Sequence, residues 1–100
     1  VSENFDPGRV DAVIHGRLRL GVMAYLSGVR SALFTELADA LEATNGNLSI
    51  ALRKLEEAGY VAIEKSFEDR KPRTTACLTE TGRKAWQAYL DNLRKLFPNG

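Results

Sequence analysis

The chain has 100 residues, 44% of them apolar and 27% charged, and a formal net charge of +1. That is the length of one domain with a globular composition, which excludes a disordered chain. No uninterrupted apolar run approaches the ~20 residues of a membrane span, so no membrane partner is expected.

A single cysteine excludes an internal disulfide and fits a reducing cytoplasm. One histidine beside it is too few for the usual protein-only metal site, and no cofactor is expected. The opening VSENFDPGR carries acidic residues and no apolar run, unlike a signal peptide. Charge is unevenly spread. Residues 1–50 carry four basic and six acidic side chains, residues 51–100 ten and seven. Any nucleic-acid footprint must therefore be a local patch.

In chain order, residues 1–8 read as a loose arm, with Asp6-Pro7-Gly8 a turn signal. Asp11 to Leu26 reads as a helix, since Val10, Ile14, Leu18, Val22 and Tyr25 or Leu26 recur at helical spacing. Gly16 and Gly21 weaken it by ~1 kcal/mol each against alanine. They either admit a close neighbour or divide the helix. His15 has no second ligand nearby and is assigned a structural or surface role. Ser27-Gly28 ends the helix. Ser31-Ala32-Leu33 is an apolar link with room for a short strand, and Ser31 or Thr35 is the expected cap of the next helix.

Phe34, Leu37, Ala38 and Leu41 make one apolar stripe on the helical period. Residues 42–47 interrupt with turn and cap types, and Leu48, Leu52 and Leu55 resume a second stripe that Gly59 stops. Residues 34–59 are thus a helix-turn-helix. Val61 and Ile63 then alternate with Ala62 and Glu64 as in a half-buried strand. Glu68 to Pro72 is the expected hairpin loop, and Arg73 to Leu78 the returning strand. A hairpin over 61–78 directly after a helix-turn-helix is a wing.

Residues 79–97 read as a terminal helix capped by Thr79 or Thr81 and ended by Pro98-Asn99-Gly100. Its apolar side chains are Trp86, Tyr89, Leu90, Leu93, Leu96 and Phe97. Their stripe is wider than the attachment of one helix needs, and a twofold homodimer would cover the remainder. Trp86 and Tyr89 could instead line a pocket for a small-molecule effector, although aromatic pairs at helical spacing usually pack. Cys77 has no resolving partner within the chain for redox sensing. Nothing resembles a phosphate loop, a Ser/His/Asp arrangement or a metal cluster, so an enzyme is not expected.

With Leu48 set at the centre of the buried face and ~100° taken per residue, Leu52, Leu55 and Gly59 stay inside. Gly46, Asn47, Ile50, Arg53, Lys54 and Glu57 fall outside. Arg53 and Asn47 are types that fork onto guanine and adenine edges, and Lys54 suits a phosphate. Backbone amides around Asn45, Gly46 and Asn47 offer a further phosphate contact. Ser49 completes the candidate face. Exposed Ile50 either touches a thymine methyl or marks weak DNA binding. The wing adds Lys65, Arg70, Lys71 and Arg73, with Pro72 stiffening its loop.

Together IHGRLRL (14–20), FTELADAL (34–41), TNGNLSIALRKLEEAGYV (44–61), KSFEDRKPRTT (65–75) and LTETGRKA (78–85) resemble the MarR/ArsR-like winged-helix transcriptional regulators. These segments cover about two thirds of the chain in the family's order and spacing. The resemblance implies a mostly α fold with a small β-hairpin: a three-helix core, a wing and a C-terminal dimerisation helix. It also implies a homodimer on a near-palindromic stretch of double-stranded DNA. The second helix would lie in the major groove and the wing along the backbone or in the minor groove. No particular effector is implied. Where relatives carry basic or histidine residues, this chain has Ile50 and Ala51. That difference keeps a second reading open, a winged-helix module for protein–protein contact without DNA binding.

Overall fold

The structure, a computed structural model, describes residues 7–96. The expectations for residues 1–6 of the arm, for Phe97 and for the terminal Pro98-Asn99-Gly100 lie outside those residues. After a single 3-10 turn at Pro7–Arg9, the elements run in order: α1 (Arg17–Ser27), β1 (Ala32–Leu33), α2 (Phe34–Ala40), α3 (Asn45–Glu57), β2 (Val61–Glu68), β3 (Lys71–Leu78) and α4 (Glu80–Arg94). The strands form one antiparallel sheet in the order β1-β3-β2. This is the winged-helix architecture, with the short strand of the 31–33 link paired to the wing through Ala32↔Ala76 and Leu33↔Thr75.

The first helix starts later than its periodicity suggests. Asp11 withdraws its own neighbourhood from the helix, because its Oδ1 accepts the backbone amides of Val13 at 2.8 Å and Ile14 at 3.1 Å. A side chain that satisfies nearby amides offers the backbone an alternative to helix. Residues 12–14 form a turn instead, Gly16 is extended at φ −141°, and the helix begins at Arg17. Ile14 still reaches the core and is fully buried, so its apolar spacing was real although the helix was not.

Leu33 belongs to β1 and is also the N-cap of α2, which leaves no position for a capping hydroxyl. Neither Ser31 nor Thr35 caps. Glu36 substitutes by accepting the Leu33 amide on Oε1 at 3.4 Å, while its other oxygen accepts the Tyr25 hydroxyl from α1. Between α2 and α3, Glu42 turns the chain at φ +50°, and the Ala43 amide donates back to the Ala38 carbonyl. Thr44 then caps α3, its hydroxyl accepting the Asn47 amide at 3.1 Å.

The exit of α3 is a Schellman motif. Tyr60 N–H donates to the Leu55 carbonyl and Gly59 N–H to that of Glu56, with Gly59 at φ +82°. Glycine takes that conformation without the Cβ penalty. Gly59 has left the helix and is exposed rather than on its buried face.

One core joins the layers. Val22, Met23 and Leu26 of α1 meet Leu37 of α2, Leu48, Leu52 and Leu55 of α3, and Tyr89 of α4. Ala51 is buried too, so of the pair Ile50–Ala51 only Ile50 reaches solvent. Among the described residues no helix is long and apolar enough to cross a membrane, and no group of metal-ligating side chains assembles.

Candidate nucleic-acid interface

The outward face of α3 holds the candidate readers together. Asn45, Gly46, Asn47, Ser49, Ile50, Arg53 and Lys54 are all exposed, while Leu48, Leu52 and Leu55 are turned into the core. The helix is amphipathic, and burial of one side presents the other. Ile50 is 56% exposed in the middle of this face.

The hairpin is longer and its loop shorter than its composition suggests. Strand pairing runs from Val61↔Leu78 to Glu68↔Lys71, so only Asp69 and Arg70 form the turn. Both have positive φ, +52° and +66°, as a type I′ turn requires. That turn type usually carries Asn-Gly or Asp-Gly, and Arg70 in the place of the glycine hides it. Pro72 therefore lies in β3 opposite Phe67 rather than in the loop. It is tolerated there because β1 pairs with β3 only at Thr75 and Ala76, leaving the other edge of Pro72 open.

Register then sorts the wing's side chains. Residues alternate between faces along a strand, and directly paired residues share one. Val61, Ile63, Lys65 and Phe67 lie on one face with Leu78, Ala76, Thr74 and Pro72; at its base Val61, Ala76 and Leu78 are buried. Lys71 and Arg73 lie on the other face with Glu64 and Glu68, and Arg73 Nε is 3.0 Å from Glu68 Oε2. All four wing cations are exposed, but they do not form one patch. Lys65 faces α3, Arg70 stands at the tip, and Lys71 and Arg73 look away, with Arg73 engaged by a carboxylate.

Between α3 and the inner face of the wing runs an open cleft of about 440 Å³. Ser49, Arg53 and Glu56 of α3 line one side, and Ile63, Lys65 and Thr74 of the hairpin the other. Two cations thus face each other across a groove beside the reading helix. Alternation along β2 carries Phe67 onto this face with Ile63 and Lys65, and the strand register adds Thr74.

A second set of contacts ties the junction between α3 and the wing to α4 and to the segment before α1. Thr79, the cap of α4, donates its hydroxyl to the Gly59 carbonyl at 2.5 Å and its amide to that of Tyr60 at 3.0 Å, and accepts the Gly82 amide at 2.9 Å. Tyr60 in turn donates its hydroxyl to Asp11 Oδ2 at 2.6 Å. That hydrogen bond, with burial and the Asp11 charge, pushes the Tyr60 hydroxyl up to about 12. Burial, then the Asp11 charge, raises Tyr89 as well.

Of the α4 side chains, Tyr89 is buried within its own chain, its hydroxyl 2.9 Å from His15 Nδ1 and its ring stacked on Trp86 at 5.8 Å. His15, expected in a structural or surface role, lies exposed at the surface and takes Tyr89 as its partner. Trp86, Leu90 and Leu93 are half-buried, and Leu96 is 45% exposed.

A helix-turn-helix with an exposed second helix, flanked by a cationic hairpin across a groove, defines a winged-helix nucleic-acid-binding domain. Residues 18–97 match the winged helix DNA-binding domain family, and the chain belongs to it. It is 32% identical over 87 residues to an uncharacterised protein of Methanocaldococcus jannaschii, covering 87% of this chain and 95% of that one.

Solved structures place it beside the MarR-type transcriptional regulators. A transcriptional regulator homologue from Pyrococcus horikoshii OT3 superposes with a TM-score of 0.84 at 30% identity, over 91% of each chain. A MarR-family regulator from Enterococcus faecalis V583 gives 0.74 at 30% identity, over 87% of this chain and 77% of that one. The S. aureus MepR–DNA complex shares the fold with a TM-score of 0.76 at 20% identity, over 90% and 73%. Family and neighbours together support a DNA-binding transcription regulator.

Proposed function

We propose that the chain binds double-stranded DNA as a homodimer at a near-palindromic operator, with α3 in the major groove and the wing on the adjacent backbone or minor groove. The observation that carries this reading is the cleft in which Arg53 of α3 and Lys65 of the wing face each other. A phosphate backbone along the cleft would meet Lys65 from the wing, with Lys54 toward a further phosphate, while Asn47, Ile50 and Arg53 reach toward base edges. The fold neighbour MepR was solved in complex with DNA, which supports DNA as the partner. The dimer would use the open edge of α4, where Trp86, Leu90, Leu93 and Leu96 remain after Tyr89 has gone into the core. A twofold axis there would set two reading helices about 34–36 Å apart, one DNA turn.

The competing reading is a protein-contact module. Its motive is Ile50 at the centre of the exposed face, together with the balance of Arg53 and Lys54 against Glu56 and Glu57 on α3. Salt separates the two. Fluorescence anisotropy with duplexes selected from a random pool should show affinity falling steeply as salt rises, because phosphate contacts release counterions. Selection that enriches no sequence, with no salt-dependent retention of DNA, would leave the protein-contact reading standing.

A further inference from the structure

Phe67 is the most exposed large apolar side chain of the described residues, at 79%. A single exposed apolar residue is ordinary on a protein surface. The position of this one is not. Its alternation with Ile63 and Lys65 puts it on the wing face that looks toward the reading helix, and Pro72 is its cross-strand partner on that face. Four residues separate it from Ile63, which lines the cleft, so it stands roughly 13 Å farther out along the strand. The hairpin turns immediately beyond, at Asp69 and Arg70.

The wing's inner face is therefore graded. It is buried at Val61, Ala76 and Leu78, cationic at Lys65, and apolar again at Phe67 and Pro72, with Arg70 at the tip. An apolar knob between two cations suits a polyanion that also offers an apolar wall. Duplex DNA does so in its minor groove, whose sugar walls lie between two phosphate rows and whose flexible steps open to expose base faces.

We propose that Phe67, backed by Pro72, is an apolar wedge inserted between base pairs from the minor groove where the wing crosses the duplex. The inference rests on the DNA-binding reading above and names a contact within it. Wedges of this kind part stacked bases and favour flexible pyrimidine–purine steps, so Phe67 confers sequence preference at a step that no hydrogen bond reads. Because the contact is apolar, it contributes affinity without releasing counterions.

The test compares wild type, Phe67→Ala and Arg70→Ala on duplexes selected by the wild type, across a salt series. Phe67 has few neighbours to lose, and circular dichroism confirms that the variants fold. Phe67→Ala is expected to weaken binding roughly tenfold with an unchanged salt slope, whereas Arg70→Ala makes the slope shallower by about one. A 2-aminopurine placed at the selected flexible step should brighten with wild type and stay dark with Phe67→Ala. Equal binding by wild type and Phe67→Ala overturns the wedge. So does a change in sedimentation caused by Phe67→Ala, which would assign the side chain to a contact with a second copy. A wild type that retains no duplex at all defeats the DNA-binding reading itself, and is told apart because the failure precedes any substitution.

Discussion

The carbonyl oxygen of Tyr60 lies 2.0 Å from the point that a Cβ on Gly82 would occupy. The first turn of α4 thus presses backbone to backbone on the segment that leaves α3 and enters the wing. Replacing Gly82 with alanine would improve helix propensity by ~1 kcal/mol, yet the methyl has no room and its neighbour is backbone, which cannot swing aside. We expect Gly82→Ala to lower stability by ~2 kcal/mol or more, read as a lower denaturant midpoint in urea. A variant at least as stable as wild type would show that the approach is looser than this.

Tyr60 links the same exit to Asp11 and supplies a pH signature. In the folded chain its hydroxyl is pushed up to about 12, against about 10 in an unfolded one. The folded state holds this proton more firmly, so the contribution is whole below pH 10 and is lost as pH rises through 10 to 12. Tyr60→Phe should be less stable by ~1 kcal/mol at pH 8. Repeating the urea titrations at pH 11 should find the two proteins closer together. A gap of the same size at both pH values would assign the loss to packing rather than to the hydrogen bond.

Wing charges should not be equivalent. Arg73 is engaged by Glu68 and faces away from α3, whereas Arg70 stands free of that pair at the tip. Arg70→Ala should reduce the salt slope of DNA binding by about one, and Arg73→Ala by less. Glu68→Ala removes a like-charged neighbour of the DNA and releases Arg73, and should tighten binding by up to ~1 kcal/mol. Identical slopes for Arg70→Ala and Arg73→Ala would mean that the pair opens on DNA.

On the reading helix, Arg53→Ala should cost ~1–3 kcal/mol of binding and relax preference at one base pair. Ile50→Ala should matter only at a thymine-bearing step, since an aliphatic side chain can read a methyl but not a hydrogen-bonding edge. Binding-site selection with both variants checks this. Profiles indistinguishable from wild type would remove α3 from the role of reader.

The homodimer is expected to depend on the open edge of α4. Sedimentation at micromolar concentration should show twice the 11.1 kDa chain mass for wild type, and a monomer for Leu93→Asp. Tyr89 already serves the core through His15, so its truncation would confuse folding with assembly and is not the variant to use. A wild-type monomer, unchanged in Leu93→Asp, would sink the dimer.

Helical spacing alone determined that Leu37, Leu48, Leu52 and Leu55 face one core and that Ile50, Arg53 and Lys54 face away from it. One amphipathic helix has only one side it can bury, and that constraint is local. Strand alternation and Gly59 likewise announced the wing and the stop before it. Three things were decided elsewhere.

The true start of α1 depends on Asp11, whose carboxylate joins the nearby amides to a tyrosine 49 residues away; periodicity cannot count a bond that only the folded chain makes. The two-residue turn at Asp69-Arg70 needs left-handed backbone at Arg70, where glycine is the usual choice, so strand pairing rather than local preference sets it. Alternation from Val61 and Ile63 already sets Lys65 and Phe67 on one face; the register adds Thr74 and Pro72 to it and sends Lys71 and Arg73 to the other. Facing is a relation between strands, and in a period-two element one residue of register reverses it.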